Sequence, residues 1–122
     1  MSEREGDARR YDLEDRTLQF AKDVREFVKR LPRSIANDED VRQLVRASGS
    51  VGANYIEANE SLSKKDFVMH TKISRKEAKE SRYWLRLLDT AGDNVLEKRR
   101  EILIQEATEL MNIFGAILRR SE

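Results

Sequence analysis

The stretch 46-RASGSVGANY-55 decides how this chain is interpreted, because it places two glycines and several small residues inside a pattern that otherwise predicts a helix. A glycine in a helix interior costs roughly 1 kcal/mol relative to alanine. The apolar period nevertheless continues past the glycines to Val51 and Tyr55. We therefore predict one continuous helix whose glycines let a neighbouring backbone approach closely. The alternative is a kink or a break between Gly49 and Gly52.

Three further helices are predicted on either side of this stretch, because apolar residues recur there at steps of three and four. The first helix is predicted to begin at an Asp12 cap and to stop at Pro32, and the second to begin at an Asn37 or Asp38 cap and to end near Asn59. The third is predicted to begin at a Ser63 cap and to stop at Gly92, and the fourth to start after Asn94.

Short connections between four such helices predict an all-α fold, an antiparallel up-down-up-down four-helix bundle. We expect the bundle to span residues 11–120 and residues 1–10 to form a disordered N-terminal tail. Small residues on the second and third helices predict that these two helices pack closely, by the steric logic of small-xxx-small pairs. The predicted close-packing residues are Ser48, Gly49, Gly52 and Ala78.

Length and composition limit the classes of protein that this chain represents. Its 122 residues suit one domain, and 24 Lys and Arg against 23 Asp and Glu leave the net charge uninformative about partners. The absence of cysteine excludes disulfides, thiolate zinc sites and cysteine nucleophiles. No apolar run reaches the ~20 residues of a membrane span, and the first ten residues lack the apolar core of a signal peptide. We therefore expect a cytoplasmic protein with no membrane partner.

Apolar residues outside the core seams predict that the chain associates with itself. A second stripe on the third helix and a wide apolar arc on the fourth exceed what one bundle needs to bury. The predicted oligomer interface comprises Ile73, Glu77, Glu80, Trp84, Leu87, Ile104 and Met111. The alternative is that other helices or the N-terminal segment cover these residues. Glu77 and Glu80 would need partners if buried, and Arg42 and Arg46 are the candidates, within the chain or across an interface.

Cations segregate to one stripe of the third helix and, less completely, to the first. The candidate nucleic-acid-binding residues are Lys72, Arg75, Lys79, Arg82 and Arg86 on the third helix, with Lys22, Arg25 and Lys29 on the first. A linear row of cations can follow a phosphate backbone and release its counterions. The alternative is a solvated face whose charges only aid solubility.

The residue patterns predict neither an enzyme nor a metal site. Three pairs of glutamates have i, i+3 spacing, but di-iron bundles also need two Glu-x-x-His motifs. The chain has one histidine, His70, and Phe67 stands where its glutamate would be required. No phosphate-binding glycine loop or catalytic triad is found. We therefore expect no catalytic residues, no metal and no cofactor.

Three segments, 12-DLEDRTLQFA-21, 44-LVRASGSVGANYIEANESLSKKDF-67 and 72-KISRKEAKESRYWLRLL-88, give the chain a family resemblance from about Tyr11 to Leu118. It resembles the bacterial four-helix-bundle family whose genes were noticed in intervening sequences of 23S ribosomal RNA genes. The resemblance implies a bundle that assembles as a ring, commonly a homopentamer, without enzymatic activity or cofactor.

The resemblance also implies a role for nucleic acid. The family is similar in architecture to the accessory variability determinant of diversity-generating retroelements, a basic pentameric barrel that binds nucleic acid and a reverse transcriptase. This chain departs from that protein in being nearly neutral.

The leading hypothesis is a ring that binds RNA or DNA through its basic stripes. A protein-interaction scaffold, with Tyr83 and Trp84 as anchor residues, is the alternative.

Overall fold

Four α-helices make up the described part of the chain, in agreement with the apolar periods of the sequence. The computed structural model describes the backbone of residues 3–121 and the side chains of residues 12–121. The helices are α1 Glu3–Val28, α2 Ile35–Asn59, α3 Lys64–Leu87 and α4 Asn94–Arg120. Residues 3–121 contain no β-strand. The prediction of an all-α fold with four helices is therefore confirmed.

The starts of α2, α3 and α4 follow from a side chain that accepts the first free backbone N–H groups. The predicted Ser63 cap of α3 is confirmed, since its hydroxyl accepts a hydrogen bond from the Asp66 amide at 3.1 Å. The cap of α2 is Ser34, which accepts from the Asn37 amide at 3.0 Å. The prediction of Asn37 or Asp38 as cap is therefore wrong by three or four residues.

The first and last helices also begin at places that only partly match the sequence pattern. Asp93 caps α4 and accepts from the amides of Val95 and Leu96 at 2.9 and 3.1 Å. Asp12 lies inside α1 and is not its cap, because that helix begins at Glu3. The predicted tail over residues 1–10 includes Met1 and Ser2, which lie outside the described residues, as do the side chains of residues 3–11. That tail stays a prediction.

The connections between the helices are short, and one of them needs left-handed backbone. They cover residues 29–34, 60–63 and 88–93. Pro32 lies in the first, beyond the end of α1 at Val28. In the third, Ala91 and Gly92 have φ angles of 54° and 76°. Because glycine adopts such angles without steric cost, Gly92 stabilises this turn, five residues beyond the actual end of α3.

The core lies between helices that contact each other in a closed cycle. Each helix contacts the next one along the chain, and α1 also contacts α4; within the described residues the diagonal pairs do not approach. Burial of each large apolar side chain stabilises the fold by about 1.5–3 kcal/mol. The largest apolar side chains that are fully buried are Phe20, Phe27, Phe114, Leu44, Leu85 and Leu110.

The glycines of α2 face α1, so the prediction that Gly52 packs on the third helix is wrong. A Cβ atom at Gly52 would lie 2.8 Å from the Thr17 Oγ1 atom and 3.1 Å from its Cβ atom. A Cβ atom at Gly49 would meet only the Arg25 guanidinium, at 3.4 Å. The helix runs unbroken through both glycines, so the predicted continuous helix is confirmed, and Gly52 is the glycine at which another helix approaches closely.

Small residues do bring α2 and α3 together, but through a different set of atoms. The buried Ser74 hydroxyl donates a hydrogen bond to the Val51 carbonyl of α2 at 2.9 Å. Ala78 is fully buried on the same side of α3. Ser48 is also buried, and its hydroxyl donates to the Val45 carbonyl within α2. The α2–α3 contact therefore depends on the small side chains of α3, while the glycines of α2 face α1.

Candidate nucleic-acid interface

The predicted cations of α3 lie along one edge of the helix. Lys72, Arg75, Lys79 and Arg86 are exposed, and Arg82 is half-buried. None of the five forms an ion pair with a carboxylate among the described residues. The row extends for about 21 Å at 1.5 Å per residue. This arrangement leaves its positive charge available to an external anion.

The edge is fixed by the amphipathic pattern of α3 and by one contact to α4. Thr71, Ser74, Ala78 and Leu85 are buried, which turns the intervening cations outward. The Arg82 guanidinium donates to the Thr108 hydroxyl of α4 at 3.3 Å. The basic edge therefore lies beside α4 and has one arginine whose position is restrained.

The predicted cations of α1 do not extend this basic edge. Lys22 and Arg25 are exposed, but Lys29 forms an ion pair with Glu26 at 2.9 Å. Arg25 donates to the Ala21 carbonyl and lies near Gly49 of α2. Since α1 and α3 do not contact each other among the described residues, the two sets of cations are separate surfaces.

Much of the predicted oligomer interface is covered within the chain itself. Trp84, Ile104 and Met111 pack against the apolar core, and Glu77 is buried. Ile73 and Glu80 are half-buried, and Leu87 is 48% exposed. The Trp84 ring also contacts the exposed Tyr83 ring at a centroid distance of 5.1 Å. Within this set, only Leu87 presents a largely exposed apolar side chain to a partner.

Glu77 is a buried carboxyl without a complete set of hydrogen bonds. Its side chain is 4% exposed, and its Oε2 atom has no described partner. Burial, reinforced by the nearby Glu80 carboxyl, raises the pKa of Glu77, while Arg46 and Lys76 oppose that shift. Within the chain, ion pairs from Arg42 and Arg46 to Glu77 or Glu80 do not form among the described residues, and Arg42 instead pairs with Glu39 at 2.7 Å. Pairs across an interface stay a prediction.

The sequence reasoning missed an acidic groove between α1 and α4. The groove has a volume of about 950 Å³, and its lining carries six carboxylates and two cations. Arg16 spans it and donates two hydrogen bonds to Glu106, at 2.8 and 2.6 Å, and one to Glu109 at 3.3 Å. These bonds raise the pKa of Arg16 above its usual value. The available signal was the three- and four-residue spacing of Asp12, Asp15, Gln19 and Asp23 along α1.

The described residues contain no cluster of metal-ligating side chains and no membrane-spanning helix. No group of three or more His, Cys, Asp or Glu side chains within residues 12–121 is arranged to hold a metal ion. His70 is half-buried, with its Nδ1 atom 3.3 Å from the Asn54 Oδ1 atom of α2. Over the described part of the chain, no helix is long and apolar enough to cross a bilayer.

Comparison with known proteins places the chain in a family. Residues 9–116 match the model of the 23S rRNA-intervening sequence proteins. The chain belongs to this family. It is also similar, at 27% identity and a TM-score of 0.74, to the crystal structure of a protein of unknown function from the S23 ribosomal protein family of Bacteroides thetaiotaomicron. The similarity covers 90% of this chain and 97% of that one. No curated protein matches.

Proposed function

We propose that the chain is a non-enzymatic, cytoplasmic protein that forms a ring and binds RNA or DNA through the basic edge of α3. The observation that carries the proposal is the row of five cations with no described carboxylate partner. Phosphate contacts of this kind position a nucleic acid without reading its sequence. Lys22 and Arg25 of α1 form a separate, weaker surface, while Glu26 neutralises Lys29.

The proposal includes an up-down-up-down arrangement of the helices. Its support is that residue numbers rise on one helix as they fall on its neighbour. Ser74 contacts Val51, and His70 contacts Asn54. Connections of four to six residues also favour neighbours that run in opposite directions.

A homo-oligomeric ring, with five subunits from the family resemblance, would repeat the basic edge once per subunit. Repetition matters because the formal net charge of the chain is only +1. One nucleic acid that spans several subunits converts weak contacts into avidity. The similarity in architecture to the accessory protein of diversity-generating retroelements supports the same reading by analogy.

Binding to structured RNA and to duplex DNA across a salt series tests this function. The protein is nuclease-treated, and its oligomeric mass is measured in the same buffer. We expect the affinity to fall steeply with salt, with a log–log slope that corresponds to several phosphate contacts. No binding at low salt would contradict the proposal.

A pair of charge reversals locates the contact. Lys79→Glu with Arg86→Glu should weaken binding tenfold or more and reduce the salt slope by about 2, one per lost phosphate contact. Arg30→Glu with Arg120→Glu removes the same charge from exposed positions outside the basic edge and serves as the matched control. Equal losses in the two pairs would show that total charge, and not the edge, determines binding.

A protein-interaction scaffold is the second candidate, and the paired rings of Tyr83 and Trp84 favour it. Tyr83 is 57% exposed beside the half-exposed Leu87, so α3 presents an aromatic and an aliphatic side chain together. Aromatic residues of this type often anchor protein interfaces. Recovery of a stoichiometric protein without nuclease-sensitive material in a pull-down would favour this function over nucleic-acid binding.

A further inference from the structure

The groove between α1 and α4 combines an acidic rim with an exposed apolar side chain. Ile102 is 67% exposed on α4, whereas Phe20 and Leu103 close the floor of the groove and are buried. The lining carboxylates are Asp12, Asp15, Asp23, Glu101, Glu106 and Glu109. Arg16 binds the last two, while Asp12, Asp15 and Glu101 have no ion-pair partner among the described residues. An exposed isoleucine surrounded by carboxylates without ion-pair partners is complementary to a partner surface that is apolar at its centre and basic around it.

A second surface of the chain has the opposite character. A shallow hollow of about 650 Å³ lies along the first half of α3. Its apolar lining comes from Val68, Met69 and Ile73, and Met69 is exposed. Its rim carries cations and no carboxylate: Lys64, Lys65 and Lys72.

We propose that the groove between α1 and α4 of one copy docks onto the hollow on α3 of the next copy, with Ile102 placed against Val68, Met69 and Ile73. This inference rests on the ring in the proposed function and names the surfaces that build it. In this arrangement the acidic rim of the groove faces the basic rim of the hollow, and the apolar centres of the two surfaces face each other. The two surfaces are different, so the contact is heterologous, and repeated head-to-tail contacts of one kind close into a ring or continue as a filament.

The docking assigns different tasks to the cations of α3. Lys72 lies on the rim of the hollow, whereas Arg75, Lys79 and Arg86 lie outside it and stay exposed. Self-association therefore leaves most of the basic edge free for nucleic acid. It also neutralises the acidic groove that would otherwise repel a phosphate backbone, because the lysines of the next copy cover it.

Charge reversal on each side, followed by reversal on both, tests the docking. One variant carries Asp15→Lys and Glu101→Lys on the groove, and a second carries Lys65→Glu and Lys72→Glu on the hollow. All four side chains are exposed, so we expect each variant to keep the helical content of the wild type. Each should raise the dissociation constant of self-association tenfold or more in sedimentation equilibrium. A variant with all four changes restores opposite charges across the contact and should associate again.

Ile102→Ser supplies an uncharged control for the apolar centre. It should weaken association at low and at high salt alike, whereas the reversals should lose much of their effect in high salt, where surface charges are screened. Wild-type mass in both reversal variants would overturn the docking and leave a ring built on other surfaces. A wild-type protein that is monomeric at every concentration would overturn both the docking and the ring. The nucleic-acid titration would then still test whether the basic edge binds RNA or DNA.

Discussion

Two glycines that lie three residues apart on α2 have different structural requirements. Gly52 lies where the Thr17 side chain of α1 leaves no room for a Cβ atom, whereas Gly49 faces only the flexible end of Arg25. Both residues carry the entropic cost of glycine in a helix. Only at Gly52 does close contact with another helix explain that cost.

Alanine at these two positions should therefore change stability in opposite directions. Gly52→Ala should lower the free energy of unfolding by about 1–3 kcal/mol, because overpacking outweighs the better helix propensity. Gly49→Ala should raise it by about 0.5–1 kcal/mol, because the new methyl group meets no rigid neighbour. Urea denaturation monitored by circular dichroism measures both. Thr17→Ala should recover part of the loss in Gly52→Ala, and an unchanged midpoint for Gly52→Ala would contradict the close contact.

The buried carboxyl of Glu77 should make stability depend on pH. Burial and the adjacent Glu80 raise its pKa in the folded state. A group with a raised folded pKa stabilises the fold fully below its unfolded pKa, and this contribution is lost as pH rises through the folded value. Glu77→Gln should therefore raise the melting temperature at pH 7, and its advantage should shrink as the pH falls toward 4, the ordinary range of glutamate.

Glu57→Gln is the matched control for this pH dependence, since Glu57 is exposed, lies outside the proposed docking surfaces, and its removal leaves no buried group unpaired. We expect its melting temperature to follow that of the wild type at every pH. A Glu77→Gln variant with a constant difference from the wild type between pH 4 and pH 7 would show that Glu77 is not titrating abnormally.

Asn37 connects the start of α2 to the segment that follows the end of α3. Its side chain is 2% exposed and donates to the carbonyls of Pro32 and Asp89, at 2.9 Å each. Its Oδ1 atom accepts from the Asp89 amide, also at 2.9 Å. One side chain thus joins the connection after α1 to the connection before α4.

Asn37→Ala should lower the free energy of unfolding by roughly 3 kcal/mol, about 1 kcal/mol for each of three lost hydrogen bonds. The exposed Gln43 on the same helix is the control, and Gln43→Ala should change stability by about 0.5 kcal/mol or less. Chemical denaturation of both variants measures the difference. Equal stabilities would mean that water replaces the amide of Asn37.

The elements themselves follow from the sequence, but their partners do not. Apolar spacing and the Ser63 cap predict four helices and their buried sides, because each depends on residues close in the chain. The predicted cap of α2 was wrong because Asn37 is a residue type that often caps helices, but here its side chain binds a residue 52 positions away in the sequence. The wrong partner predicted for Gly52 and the missed acidic groove have the same cause. Contacts between residues of different helices depend on how the four amphipathic helices pack, which the spacing within one helix does not show.

The near-neutral net charge of the chain conceals a separation of charge between two of its surfaces. One edge of α3 is basic, and the groove between α1 and α4 is acidic. The near-neutral composition therefore counts less against nucleic-acid binding than the net charge alone suggests, because the positive charge is concentrated on one edge. The candidate basic edge could be listed from the spacing of cations on α3, whereas its lack of carboxylate partners depends on the positions of the other helices.

Among the described residues, the contact between α1 and α4 is less extensive than the other three contacts of the closed cycle of helices. It joins the helices farthest apart in sequence, so its formation costs the most chain entropy, and the side chains of Arg16, Glu106 and Glu109 bridge it. We therefore expect local opening to require the least free energy at this seam, with α1 as the helix that detaches. A neighbouring copy bound in the seam would suppress that opening. The backbone amides of α1 should therefore exchange more slowly as the chain assembles.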